Sequence, residues 1–243
     1  IIAAWGTGIC FLVNGLSFGA LLAALASMRM LPEVATGQGG SGFSWRHTLA
    51  GFAAVRRTPG VLPLMGLTFV MGVFGWPYVV LMPAIAKDNF GVGADGFGVL
   101  MSASGIGSVI GALGLASARR VRDGRLVLAA ALLTFSVATI AFSQIHSYVA
   151  ALFVLLPVGI GMTTFFSGTD ALIQTSVGDD VRGRVMGVQA LVWGAMMPAG
   201  SFLAGTFADI FGSATTVLAG AIVVGCSGIA ALFIIPRGLK LGR

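Results

Sequence analysis

A few amide and ionisable side chains interrupt long apolar runs, and these are the places where this sequence could do chemistry. Asp170 closes the run that begins near Ser147 and passes Phe166, and Gln174 follows about one helical turn later. Gln189 and Trp193 are four residues apart in the next run, so a helix puts them on one face. Asn14 stands in the first run. A polar group in hydrocarbon is costly, which makes each of these a candidate for function as well as for packing. Counting from Ser147 at 1.5 Å per residue, a helix crosses about 30 Å near residue 167. Asp170 then sits near one membrane boundary, as a gate, a coupling group or a hydrated anchor. Gln189 and Trp193 can hydrogen-bond and stack on a small molecule, or pack at an interface. Asn14 can line a cavity or hydrogen-bond a neighbouring helix.

Other chemistries find no foothold. No HExxH, P-loop, hydrolase elbow or nucleophile–base pair is present. Gly91–Gly96 reads GVGADG and matches GxGxxG, but it lies between two apolar runs with no strand before it. Cys10 and Cys226 both fall inside apolar runs without a CxxC, and they read as packing residues. His47 and His146 lie in different loops, too far apart in topology to share a metal. No cofactor is expected.

The elements that must hold these residues follow from composition. The chain has 243 residues, 57% hydrophobic and 9% charged, with a mean hydropathy of +0.99. Soluble domains run at about 25% charged, so this chain could not cover a compact globule with polar surface. It is an integral membrane protein by composition. Seven apolar runs span Ile9–Met28, Val61–Ala86, Phe97–Ala118, Leu126–Ser143, Ser147 past Phe166, Val185 to about Phe207, and Ala214–Ile235. Ile1–Ala4 reads as the remnant of an earlier span. The runs lack the ten-residue alternation of a β-barrel, and helices satisfy their own backbone in lipid. Ala103, Gly107 and Gly111 have the small-xxx-small spacing of close helix packing. Pro77, Pro83, Pro157 and Pro198 lie in or at the ends of spans and are expected to bend them.

Charge orients the spans. Arg29, Arg46, Arg56, Arg57, Arg119, Arg120, Arg122, Arg125, Arg182, Arg184, Arg237, Lys240 and Arg243 fall on one side. The other side holds Lys87 with Asp88, Asp95 and Asp209. The positive-inside rule makes the basic side cytoplasmic, C-terminus included, in a plasma (inner) membrane. The net charge of +6 is thus a topology signal, with no nucleic-acid partner implied. Five loops are short and one, Arg29–Gly60, is long. It contains glycine-rich Gly37–Gly42 and continues into Phe43–Pro59, where Trp45, Leu49 and Phe52 have helical spacing. A short amphipathic helix on the inner membrane surface fits that segment, as does a plain linker. The chain divides into residues 1–28, a connection over 29–60, and six spans over 61–243.

That division, with particular strings, resembles the sixth to twelfth helices of a major facilitator superfamily transporter. FLVNGLSFGALLAALASMR (Phe11–Arg29), VRRTPGVLPLM (Val55–Met65), FGWPYVVLMPAIAKD (Phe74–Asp88) and GFGVLMSASGIGSVIGAL (Gly96–Leu113) look like the transmembrane secretion effector branch, which includes enterobactin exporter-like proteins. DDVRGRVMG (Asp179–Gly187) resembles the superfamily's loop before the eleventh helix. GLASARRVRDGR (Gly114–Arg125) keeps Gly114, Arg119, Gly124 and Arg125 of the inner-loop motif Gly-x-x-x-Asp-Arg-x-x-Gly-Arg, with Ala118 where the motif has Asp.

The resemblance implies an all-α polytopic membrane protein, one helix plus a six-helix bundle of two inverted three-helix repeats. It implies a secondary transporter, an exporter of small molecules such as siderophores or drugs, driven by a proton or ion gradient. Its partners are the bilayer, the substrate and an N-terminal bundle that this sequence does not contain. Asn14, Gln189 and Trp193 become cavity candidates. Asp170, Gln174, Asp180, Arg182, Arg184, Arg119 and Arg125 become gating or coupling candidates, the arginines pairing with the other bundle or simply holding topology. Two other classes fit seven spans: a receptor, and a permease subunit of another transport system. A retinal receptor needs a lysine inside a span, and Lys87 and Lys240 both lie at span ends or outside.

Overall fold

The computed structural model describes residues 2–27, 45–117, 123–237 and 239. Among them every regular element is a helix: α1 (Ile2–Ser27), α2 (Trp45–Arg57), α3 (Val61–Val70), a π-turn (Met71–Gly75), α4 (Pro77–Asp88), α5 (Ala94–Ser117), α6 (Gly124–Gln144), α7 (Tyr148–Ser176), α8 (Asp179–Phe211) and α9 (Ser213–Ile234). The chain forms two compact units, Ile1–Phe43 and Ser44–Arg243. The first contains α1, whose described apolar stretch is Asn14–Ala24. Residues 2–4, expected as the remnant of a separate span, are instead the first turn of α1. Nothing in the residues that follow stops a helix, because an interior glycine such as Gly6 or Gly8 costs only about 1 kcal/mol. The glycine-rich segment and the arginines at 29, 119, 120, 122 and 243 lie outside the described residues.

Among the described residues the second unit holds six helices long and apolar enough to cross a bilayer, the first being the continuous rod Val61–Asp88. The protein is a polytopic all-α membrane protein. Helix ends follow local chemistry. The Asp123 carboxylate accepts from the Arg125 backbone N–H at the start of α6. The Ser147 hydroxyl accepts from the Ala150 N–H at the start of α7. Gly212, with φ +84°, separates α8 from α9. Helix α8 outruns the expected Val185–Phe207 span at both ends. Asp179 and Asp180 lie in its first turn, where acids favour a helix start.

Packing is organised by neighbour choice. Helix α5 packs on α7, and α8 packs on the α3–α4 rod; α6 packs on α7, and α9 on that same rod; α6 and α9 pack on each other. Exchanging the first three spans with the last three returns the same principal neighbours. Three crossings also reverse the direction of travel through the membrane, as an inverted repeat requires.

Close approach depends on missing side chains. Gly107 lies where a Cβ would strike the Leu156 carbonyl, and at Gly111 it would come 2.7 Å from the Ile160 carbonyl oxygen. Gly159 answers from α7 against Ser104. The small-residue spacing is therefore the seam between α5 and α7. The other outcome concerns cysteine: Cys226 is exposed on α9 beside Ile222 and Val223, not packed in the core. A small apolar thiol is as acceptable on a lipid-facing strip as inside.

The four prolines differ. Pro157 and Pro198 stay inside α7 and α8, and Pro83 inside α4. Pro77 coincides with the π-turn, where the Trp76 N–H reaches back five residues to the Met71 carbonyl at 3.0 Å. Proline removes one backbone donor and crowds the carbonyl four residues earlier, here that of Val73, so a wider turn relieves the rod.

Gly107→Leu is expected to destabilise the bundle by about 1–3 kcal/mol through forced separation of α5 and α7. Gly105→Leu, whose Cβ would meet nothing within 4 Å, is expected to be neutral. Thermal melting in detergent, followed by size-exclusion fluorescence, distinguishes them; equal midpoints would contradict the seam.

Candidate functional site

Three helices converge on one buried amide. Gln189, on α8, is 2% exposed. Its Nε2 donates to the Asp170 carboxylate on α7 at 3.4 Å and to the Thr68 hydroxyl on α3 at 3.4 Å. Thr68 in turn donates to the Leu64 carbonyl at 3.0 Å, so its oxygen is left to accept from Gln189. The junction thus links both halves of the bundle through one side chain. Asp170 is half-buried. Gln189 Oε1 and the hydroxyl of the neighbouring buried Thr169 have no hydrogen-bond partner. A buried polar atom left unpaired costs roughly 1–3 kcal/mol. The junction therefore leaves the Gln189 amide oxygen with unused acceptor capacity.

Aromatic rings stand one turn away. Phe166 precedes Asp170 by four residues on α7, and Trp193 follows Gln189 by four on α8. Their ring centroids are 4.4 Å apart, tilted by 41°. Phe165 continues the cluster edge-on to Phe166 at 5.5 Å. Trp193 and Phe166 are both half-buried, so the pair presents part of its surface outward. Carboxylate, amide and aromatic faces are the combination that orients an amphipathic molecule.

Gln174, Asp180, Arg182 and Arg184 lie at the end of the bundle where α7 stops and α8 starts. Arg182 holds Asp179 at 2.7 Å and donates from Nε to the Gln174 backbone carbonyl at 3.1 Å. One guanidinium thereby spans the turn between α7 and α8 and covers a carbonyl in the last turn of α7. The Gln174 side chain, Asp180 and Arg184 are exposed. Arg125 is committed within the bundle: it donates to the Leu232 carbonyl in the last turn of α9 at 2.8 Å and pairs with Asp123 at 3.3 Å. Arg119 lies outside the described residues. Asn14 is exposed on α1, in the other unit, and its backbone carbonyl accepts from Ser17.

Of the sequence candidates, the structure brings together Asp170, Gln189 and Trp193. Thr68 and Phe166 were missed. The only available signal for Thr68 was a hydroxyl in the middle of an apolar run, and such hydroxyls commonly bond their own helix, as Thr68 also does. Phe166 is one of 17 phenylalanines, and its partnership with Trp193 spans a loop.

If Gln189 ties Asp170 to α8, Gln189→Leu and Asp170→Asn should each destabilise, and a double-mutant cycle should return a coupling of about 0.5–3 kcal/mol. Strict additivity in melting experiments would mean that the two side chains do not interact.

Comparison with known proteins gives the architecture its relatives. The multidrug efflux pump Tap of Mycolicibacterium fortuitum is 32% identical over 139 residues, covering 57% of this chain and 34% of that protein. The pumps of the same name from Mycobacterium bovis (BCG Pasteur) and Mycobacterium tuberculosis (H37Rv) are 30% identical over 133 residues, covering 55% of this chain and 32% of each relative. The matched stretch therefore spans about a third of these relatives' length. No solved structure matches the chain. The transmembrane secretion effector family model matches residues 1–239. With nearly the whole chain covered, and six membrane-crossing helices in the described unit, the chain belongs to the transmembrane secretion effector family of the major facilitator superfamily.

Proposed function

We propose that this chain is the C-terminal portion of a secondary exporter of small amphipathic molecules, working by alternating access in a plasma (inner) membrane. The observation that carries the reading is the Asp170–Gln189–Thr68 junction beside the Phe166–Trp193 pair, in a chain of an effector family whose named relatives are efflux pumps. A receptor or permease subunit has no comparable support from the relatives.

The proposed division of labour follows from chemistry. Asp170 is the coupling group, since a carboxylate in a mostly apolar setting can change charge state and so its preferred partner. With Asp170 ionised, Gln189 Nε2 donates to it. With Asp170 protonated, a flipped Gln189 amide can accept from the new O–H through Oε1, and Nε2 is released from the carboxylate. That exchange alters the tie between α7 and α8 at the place where the aromatic pair bridges them. Trp193 and Phe166 supply contact surface for cargo. Arg182, with Asp179 and Gln174, holds the α7–α8 turn. The basic end of the second unit, with Arg56, Arg57, Arg125, Arg182, Arg184 and Arg237, is the cytoplasmic end, and the C-terminus is cytoplasmic with it. A second bundle of the same protein closes the other wall of the cavity.

The test is transport by the whole protein, with these residues in their native reading frame, reconstituted in vesicles under an imposed pH gradient. A fluorescent amphipathic dye should be moved against its gradient. Asp170→Asn should reduce uphill movement by more than about tenfold while sparing dye exchange at equal concentrations, because only coupling is lost. Trp193→Ala should weaken both. Equal loss of uphill movement and exchange in Asp170→Asn would remove Asp170 from coupling. Transport by the isolated 243-residue chain as a monomer would contradict the two-bundle cavity.

A further inference from the structure

Helix α2 packs on α8. Gly51 sits against α8 so closely that a Cβ there would lie 2.9 Å from the Arg184 carbonyl oxygen and 2.8 Å from the Val188 side chain. Val55, one turn on, is 2% exposed. Phe52 lies about 100° around the helix from Gly51 and is 48% exposed. Arg56 follows Phe52 by four residues on the same strip, and Arg57 adjoins it; both are exposed in the last turn. The helix contains no acidic residue. Leu62, just beyond on α3, is also exposed. An aromatic ring and a guanidinium one turn apart, at the end of membrane-crossing helices, match a surface that is apolar on one side and anionic on the other.

We propose that the outward strip of α2 docks the headgroup of an anionic phospholipid: Arg56 and Arg57 hold its phosphate, and Phe52 enters the acyl boundary. Guanidinium pairs with phosphate through two parallel hydrogen bonds. A soluble phosphate would satisfy the arginines and leave Phe52 and Leu62 in water, so the occupant is a lipid. The consequence reaches α8. The Gly51 contact falls on residues 184–188, and the next residue is Gln189. A headgroup that pins α2 therefore stiffens the segment of α8 that carries the junction amide.

The full chain in nanodiscs tests this through retained lipid and backbone hydrogen exchange, both independent of transport. Native mass spectrometry should find phosphatidylglycerol retained preferentially over phosphatidylcholine. Arg56→Gln/Arg57→Gln should lower that retention by about 25-fold, since each of the two basic residues near an anionic surface contributes about fivefold. Arg237→Gln, at the same end but off α2, should leave retention within about fivefold of the unmodified chain. Exchange at residues 184–189 should be slower in phosphatidylglycerol than in phosphatidylcholine nanodiscs, and the difference should vanish in the double variant. Equal retention in the double variant, displacement of the lipid by inorganic phosphate alone, or equal exchange in both nanodiscs would overturn the proposal. The last result would mean that another segment of protein holds α2.

Discussion

Hydrocarbon offers no hydrogen bonds, and the rest of this structure follows from that. Each polar atom carried into a span must find its partner inside the protein. Backbones meet the demand by forming helices. Hydroxyls meet it mainly by folding back on their own helix, as Ser102 does to Gly98, Thr206 to Phe202 and Thr216 to Gly212. A few hydroxyls instead tie helices together: Tyr78 with Ser104 joins α4 to α5 at 2.9 Å, and Ser136 joins α6 to the Ala221 carbonyl of α9 at 2.7 Å. Against this background the amide of Gln189 stands out, because it serves two other helices at once and leaves its own oxygen unpartnered.

The same solvent removes the hydrophobic drive between helices, so contact area has to come from shape. Glycine supplies it at the seams. Gly107 and Gly159 let α5 and α7 touch backbone to backbone, and Gly200 lets α8 press on the π-turn, where a Cβ would lie 2.8 Å from the Gly72 carbonyl oxygen. Seams of this kind are close but carry few long interdigitated side chains. The junction at Gln189 adds a polar tie among α3, α7 and α8 to this packing.

Much of the fold was legible because a span imposes its own length. Eighteen or more apolar residues with arginines at one set of ends could hardly be read otherwise, and Ala103, Gly107 and Gly111 announced a close-packed face on α5, though not that α7 fills it. The limits are equally physical. Continuity of α1 through residues 2–8 was hidden because glycine weakens a helix without forbidding it. The π-turn was visible only as Pro77, since a proline reports strain and not the form of its relief. In α2 the obvious stripe of Trp45, Leu49 and Phe52 drew attention from Gly51 and Val55, whose small size is what permits docking. Asp170 and Gln189 were each conspicuous as polar residues in apolar runs. Their pairing was not, because they stand 19 positions apart across a loop and only the packing of α7 on α8 decides which faces meet.

Coupling as proposed requires the Asp170 carboxyl to change protonation state while partnered by Gln189. Infrared difference spectroscopy on the reconstituted protein, with pH stepped and aspartate isotopically labelled, reads that event directly. The account predicts a protonated-carboxyl band that is abolished in Asp170→Asn and moves in frequency in Gln189→Leu, because the amide is its hydrogen-bond partner. A spectrum with no band dependent on Asp170, or one indifferent to Gln189, would contradict it.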